Sequence, residues 1–78
     1  MNEELIADYE NFVRNGEGYV VYWNEQIEKL AEAVQNTRNL SKIKECFIRL
    51  EECFKELEAV KLHVERCRER LLQLQRED

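Results

Sequence analysis

Residues 43–74 read IKECFIRLEECFKELEAVKLHVERCRERLLQL, and this stretch decides the fold. Its apolar side chains recur at alternating spacings of three and four residues, which places them on one face of an α-helix. The series alternates between heptad positions a and d and consists of Ile43, Cys46, Leu50, Cys53, Leu57, Val60, Val64, Cys67, Leu71 and Leu74. Phe47 and Phe54 widen the stripe at position e. The pattern predicts one long helix with a broad apolar face.

The first half of the chain carries a second heptad series of the same kind. Its a and d positions are Ile6, Tyr9, Val13, Gly16, Val20, Trp23, Ile27, Leu30, Val34 and Thr37. Apolar residues at the flanking g positions, among them Phe12 and Tyr19, make this stripe wider than that of a narrow two-stranded coiled coil. A second long helix is therefore expected.

Turn and cap formers separate the two series, in the run NTRNLS at residues 36–41. We predict an all-α fold, a single domain over residues 1–78, with helix 1 at about 3–37, a loop at about 38–41 and helix 2 at about 42–76. A loop this short requires a long antiparallel helical hairpin, coiled-coil-like, in which facing positions have numbers that sum to about 78.

The ends and the register of this hairpin give three finer expectations. Ser41 or Asn39 is expected to cap helix 2, and Leu40 is expected to pack on its first turns. Trp23 is placed near Cys53 and Phe54. An acidic head on helix 1 is expected to meet a basic tail on helix 2; the residues are Glu3, Glu4, Asp8, Glu10 and Arg66, Arg68, Arg70, Arg76.

The segment RNGEGYVVYW, residues 14–23, contains both glycines and the single tryptophan. Read alone it predicts a turn followed by a strand, and the two glycines cost a helix about 2 kcal/mol together. The heptad phase nevertheless continues from Val13 to Val20, which favours a continuous helix that is bent or weakened at 15–18 over a helix that breaks there and restarts. A glycine at position d leaves a notch near Val60, His63 and Val64, or lets another backbone approach.

Composition limits the classes of function. Charged residues make up 37% of the chain and the net charge is −5, which argues against a general nucleic-acid-binding protein. The chain has three cysteines and no apolar run of the roughly 20 residues that a transmembrane helix needs, and no secretory signal is recognisable. We therefore expect a soluble protein of a reducing intracellular compartment, cytoplasmic or nuclear, without membrane contact.

No catalytic constellation is recognisable, so we expect a chain that is not an enzyme and needs no cofactor or small-molecule substrate. Cys46, Cys53 and Cys67 lack the short spacing of zinc ligands and are read as small core residues. His63 and Cys67 are one helical turn apart and are the candidates for an alternative function, a sensor that responds to a metal or to oxidation. The arginine run at 66–70 leaves nucleic-acid contact as a third reading.

Two broad apolar stripes exceed what one hairpin covers, which predicts a four-helix bundle formed by dimerisation or with another helical protein. The expected function is a protein-protein interaction module, a small coiled-coil subunit or domain of a larger scaffolding, trafficking or cytoskeletal assembly. The expected interface residues are mainly aromatic, because aromatic anchors dominate contact energies: Phe12, Gly16, Tyr19, Trp23, Phe47 and Phe54.

Overall fold

The computed structural model describes residues 2–77 and contains two α-helices. Helix α1 spans Glu3–Asn36 and helix α2 spans Leu40–Arg76. They pack along their length as an antiparallel hairpin whose Cα atoms extend over 59 × 14 × 13 Å. At the end opposite the loop, the Asn2 Nδ2 amide lies 3.5 Å from Glu77 Oε2. The predicted all-α hairpin is confirmed; residues 1 and 78 of the predicted domain lie outside the described part.

The connection between the helices is shorter than expected and comprises residues 37–39. Thr37 is extended and ends α1, so it does not belong to the first helix as predicted. Asn39 caps α2, because its side-chain oxygen accepts a hydrogen bond from the Lys42 amide at 3.2 Å. Helix α2 therefore starts two residues before the predicted position, and Ser41 lies inside it.

Leu40 is the first residue of α2 and is 81% exposed, so the expected packing of its side chain on the following turns is wrong. The packing motif requires the apolar residue to precede the cap, whereas the cap here is Asn39, before Leu40. The leucine is left at the surface of the loop end, and its side chain contributes nothing to the hairpin core.

Helix α1 runs through the glycine-containing segment without interruption. Neither glycine has a positive φ, so neither is required by an unusual backbone conformation. The acidic side chains of Glu3 and Glu4 lie in the first turn, where they interact favourably with the helix dipole. Because residues 19–23 lie within this continuous helix, the strand alternative for them is excluded.

All twenty a and d positions named above are buried or half-buried, and together they form the seam of the hairpin. Burial is uneven along the seam. The buried apolar side chains all belong to α2 and begin about one third of the way along it: Cys53, Leu57, Val64, Cys67 and Leu74. Nearer the loop, no seam residue from Trp23 through Leu50 is buried, and all of them are half-buried. The buried core therefore begins at Cys53 and does not reach the part of the hairpin nearest the loop.

Candidate helix-docking surface

The close contact between the helices is made at Gly16, the only described residue of α1 that is buried. A Cβ atom added at Gly16 would overlap the Cγ2 methyl of Val64 on α2. At Gly18, on the outer surface of the same helix, no such neighbour lies within 4 Å. The notch expected at Gly16 is therefore filled by Val64 of the same chain, and Gly16 serves the hairpin rather than offering space to a partner.

The seam separates two long flanks. In an antiparallel pair, positions g of both helices border one flank and positions e border the other. A surface groove lined by Gln26, Arg49 and Glu56, all at g, defines the Gln26 flank. An ion pair between Glu17 Oε1 and Arg68 Nη2 at 2.6 Å, both at e, defines the opposite Glu17 flank.

A ridge of large apolar side chains follows α1 on the Gln26 flank. It consists of Leu5, Phe12, Tyr19 and Tyr22, which are between 39% and 60% exposed. The Phe12 ring packs edge-on against Tyr9 of the seam, with ring centroids 5.4 Å apart. Such a contact restricts the orientation of a ring that is otherwise half in water. The ridge occupies the half of the hairpin that contains the helix termini.

The groove continues this flank toward the loop. Tyr22 joins the ridge to the groove, because its ring packs edge-on against Trp23 with centroids 5.0 Å apart. Trp23, Leu30 and Cys53 supply apolar lining, and Ala33 and Cys46 line the part nearest the loop. Small or flexible side chains at g, such as those of Ala33 and Gln26, leave the seam uncovered here. The groove is thus the place where the half-buried seam residues near the loop are open to solvent.

The expected interface residues do not form one patch. Phe12 and Tyr19 belong to the ridge, and Trp23 lines the groove on the same flank. Phe47 and Phe54 are at e and therefore border the opposite Glu17 flank, where they are 57% and 50% exposed. Trp23 shares the groove with Cys53 as expected, whereas Phe54 does not line it.

The expected interface residues did not include Ala33 and Arg49, which line the groove, and Tyr22 was expected only as exposed apolar surface further from the seam. The sequence nevertheless contained a signal that the aromatic residues are divided between two flanks. The aromatic residues of α1 stand at g and those of α2 at e, and in an antiparallel pair these positions border different flanks. Assigning flanks in this way would have separated the two aromatic sets and would have placed Ala33 beside Arg49.

The expected pairing of acidic head and basic tail is wrong for the described residues. Within residues 2–77, the one ion pair between the helices joins Glu17 and Arg68, and the remaining pairs, Arg49 with Glu45 and Lys55 with Glu51, lie within α2. Long exposed side chains lose entropy when they are held in one geometry, so heptad level alone does not bring them together. The acids at 3–10 make no ion pair within residues 2–77.

His63 and Cys67 do meet on α2, with Cys67 Sγ 3.6 Å from His63 Nε2. The cysteine is 5% exposed in the seam, and residues 2–77 contain no cluster of three or more side chains able to hold a metal ion. A structural zinc site uses four protein ligands, and this pair supplies two. All three cysteines are free thiols.

In the described part of the chain, neither helix is long and apolar enough to cross a membrane. Comparison of the chain with models of known protein families, with curated proteins and with solved structures found no match. The groove and the exposed apolar residues of the Gln26 flank are therefore the features from which a function can be inferred.

Proposed function

We propose that this chain is a non-enzymatic protein-protein interaction module whose Gln26 flank receives a helix of a partner. The observation that carries the proposal is the uneven seam, in which no residue from Trp23 through Leu50 is fully buried. Exposed apolar surface of this extent in a small protein marks an interaction site, and a partner helix would complete the core.

The shape of the flank supports a helix as the ligand. The groove is open to solvent and runs between the two antiparallel helices, so its shape suits an extended, regular element more than a compact molecule. Its lining combines an apolar floor with charged rims at Arg49, Glu52 and Glu56. An amphipathic helix presents the complementary pattern, with apolar side chains every three or four residues and polar ones beside them.

With a helix in the groove, the assembly would be a helical bundle, and the chain would act as a small coiled-coil subunit or domain of a larger scaffolding, trafficking or cytoskeletal complex. The Glu17 flank, with Phe47 and Phe54, offers a second and separate surface. Two surfaces on opposite sides of a rod suit a protein that links other chains rather than one that binds a single ligand.

Two alanines of α1 allow a matched test of the Gln26 flank. Ala33 and Ala31 are both exposed, but Ala33 lines the groove at position g, whereas Ala31 stands at e on the opposite flank. Ala33→Glu places a longer, charged side chain in the groove beside Cys46, where it would obstruct a partner helix and would lose hydration when the helix binds. Ala31→Glu makes the same chemical change outside the groove.

The wild-type chain and both variants would be used as bait in extract of cells that express the chain. We expect helical partner proteins, or further copies of the chain, to be recovered with wild type and with Ala31→Glu and to be lost with Ala33→Glu. Recovery that is identical for the two variants, or the absence of any partner, would contradict the proposed role of the groove.

A further inference from the structure

We propose that the helix that covers the groove belongs to a second copy of this chain, packed antiparallel so that the ridge of each copy lies in the groove of the other. This proposal rests on the function proposed above, because it names the partner of the same flank. Each interface would be made of the same surface on both copies and would close by twofold symmetry.

The lengths of ridge and groove agree. The ridge extends from Leu5 to Tyr22, and the groove residues of α1 extend from Tyr22 to Thr37, so they span 17 and 15 residue steps, about 25 Å and about 22 Å of helix. Both lie on one flank and meet at Tyr22. A twofold axis near Tyr22 therefore brings Tyr19 over the Trp23 end of the groove and Leu5 over its loop end.

Two charged residues of the Gln26 flank are placed for contact between the copies. Asp8 is at position c of α1 near the helix termini, and Lys42 is at position g of α2 near the loop, so both border this flank. Glu3 and Glu10 stand at position e and border the opposite flank. Neither Asp8 nor Lys42 makes an ion pair within residues 2–77. Antiparallel packing places Asp8 of each copy beside Lys42 of the other.

The exposed area is also sufficient for a dimer. A compact folded monomer of this mass, 9.5 kDa, exposes about 5,000 Å². The hairpin exposes 6373 Å², a surplus of about 1,300 Å². A stable interface buries roughly 800 Å² on each partner, so one covered flank removes most of this surplus.

A charge exchange tests the orientation, because residues 8 and 42 stand at opposite ends of one hairpin. Along the axis of the hairpin the two residues are separated by about 28 residue steps, roughly 42 Å, so their side chains cannot interact within a monomer. Dimer dissociation constants would be measured by sedimentation equilibrium for Asp8→Lys, for Lys42→Asp and for the chain that carries both changes. Circular dichroism would verify that each variant remains helical.

We expect the wild-type chain to dimerise at micromolar concentration and each single reversal to raise the dissociation constant about tenfold, because a twofold dimer contains every contact twice. The double variant should recover most of the wild-type affinity. Ala33→Glu should weaken the dimer about 100-fold or more, and Ala31→Glu should not.

A wild-type chain that remains a folded monomer at 100 µM would overturn the dimer, and so would a double variant that is weaker than either single one. A monomer would leave the proposed function standing as long as another helical protein is captured in an Ala33-dependent manner. Only the loss of that dependence for every partner would overturn both.

Discussion

The two glycines of α1 provide a matched prediction about the packing of the hairpin. Replacing an exposed helical glycine by alanine stabilises a helix by about 1 kcal/mol. Gly18 has open space around it, so Gly18→Ala should give this full gain. At Gly16 the new methyl would overlap Val64, whose branched side chain has essentially one rotamer in a helix and cannot turn away. Overpacking of this kind costs about 1–3 kcal/mol.

The free energies of unfolding of the two variants should therefore differ by about 2 kcal/mol, with Gly18→Ala the more stable. For a chain of this size the melting midpoints would differ by roughly 8–16 °C. The assay is urea and thermal unfolding followed by helical circular dichroism. Every variant must be compared at one protein concentration, because self-association adds to apparent stability.

Truncating Val64 tests whether its side chain causes the difference in stability between the two glycine variants. In a Val64→Ala background the space beside Gly16 is open, so Gly16→Ala should become stabilising and the difference between the two glycine variants should disappear. This is a double-mutant cycle, and its coupling free energy measures the overlap directly. If Gly16→Ala raises stability as much as Gly18→Ala in the wild-type background, the helices do not approach each other at this level and the reasoning is refuted.

Two further predictions concern the core and the salt dependence. Leu74 is 1% exposed and Leu72 is 54% exposed, so Leu74→Ala should cost about 2–5 kcal/mol in urea unfolding and Leu72→Ala less than about 1 kcal/mol; equal costs would contradict the assigned faces of α2. Raising sodium chloride from 50 mM to 1 M should weaken dimerisation several-fold by screening the end contacts, and a dimer that tightens uniformly with salt would mean that these contacts contribute nothing.

The heptad pattern was sufficient to predict the two helices and their register. Gly16 faces Val64, within about two residues of the expected pairing, and every a and d position is at least half-buried. The reason is that apolar periodicity encodes directly which side of a helix is buried. The same pattern kept its phase through both glycines, and α1 is continuous there.

Other features required atomic positions. The sequence offered both Asn39 and Ser41 as caps, and only the backbone geometry distinguishes them. A missing side chain at Gly16 was compatible with an empty notch or with close packing, because periodicity does not report the distance between helices. The pairing of Glu17 with Arg68 depends on rotamers of exposed side chains, which heptad position does not determine.

The accessibility of Trp23 tests the central claim, that a partner helix covers the loop half of the Gln26 flank. Trp23 is the single tryptophan, is half-buried and lines the groove, so its fluorescence reports on that surface alone. We expect quenching by acrylamide to fall as the chain is concentrated through the range in which it dimerises, for wild type and for Ala31→Glu but not for Ala33→Glu. A chain that dimerises while Trp23 remains equally accessible to acrylamide would contradict the claim.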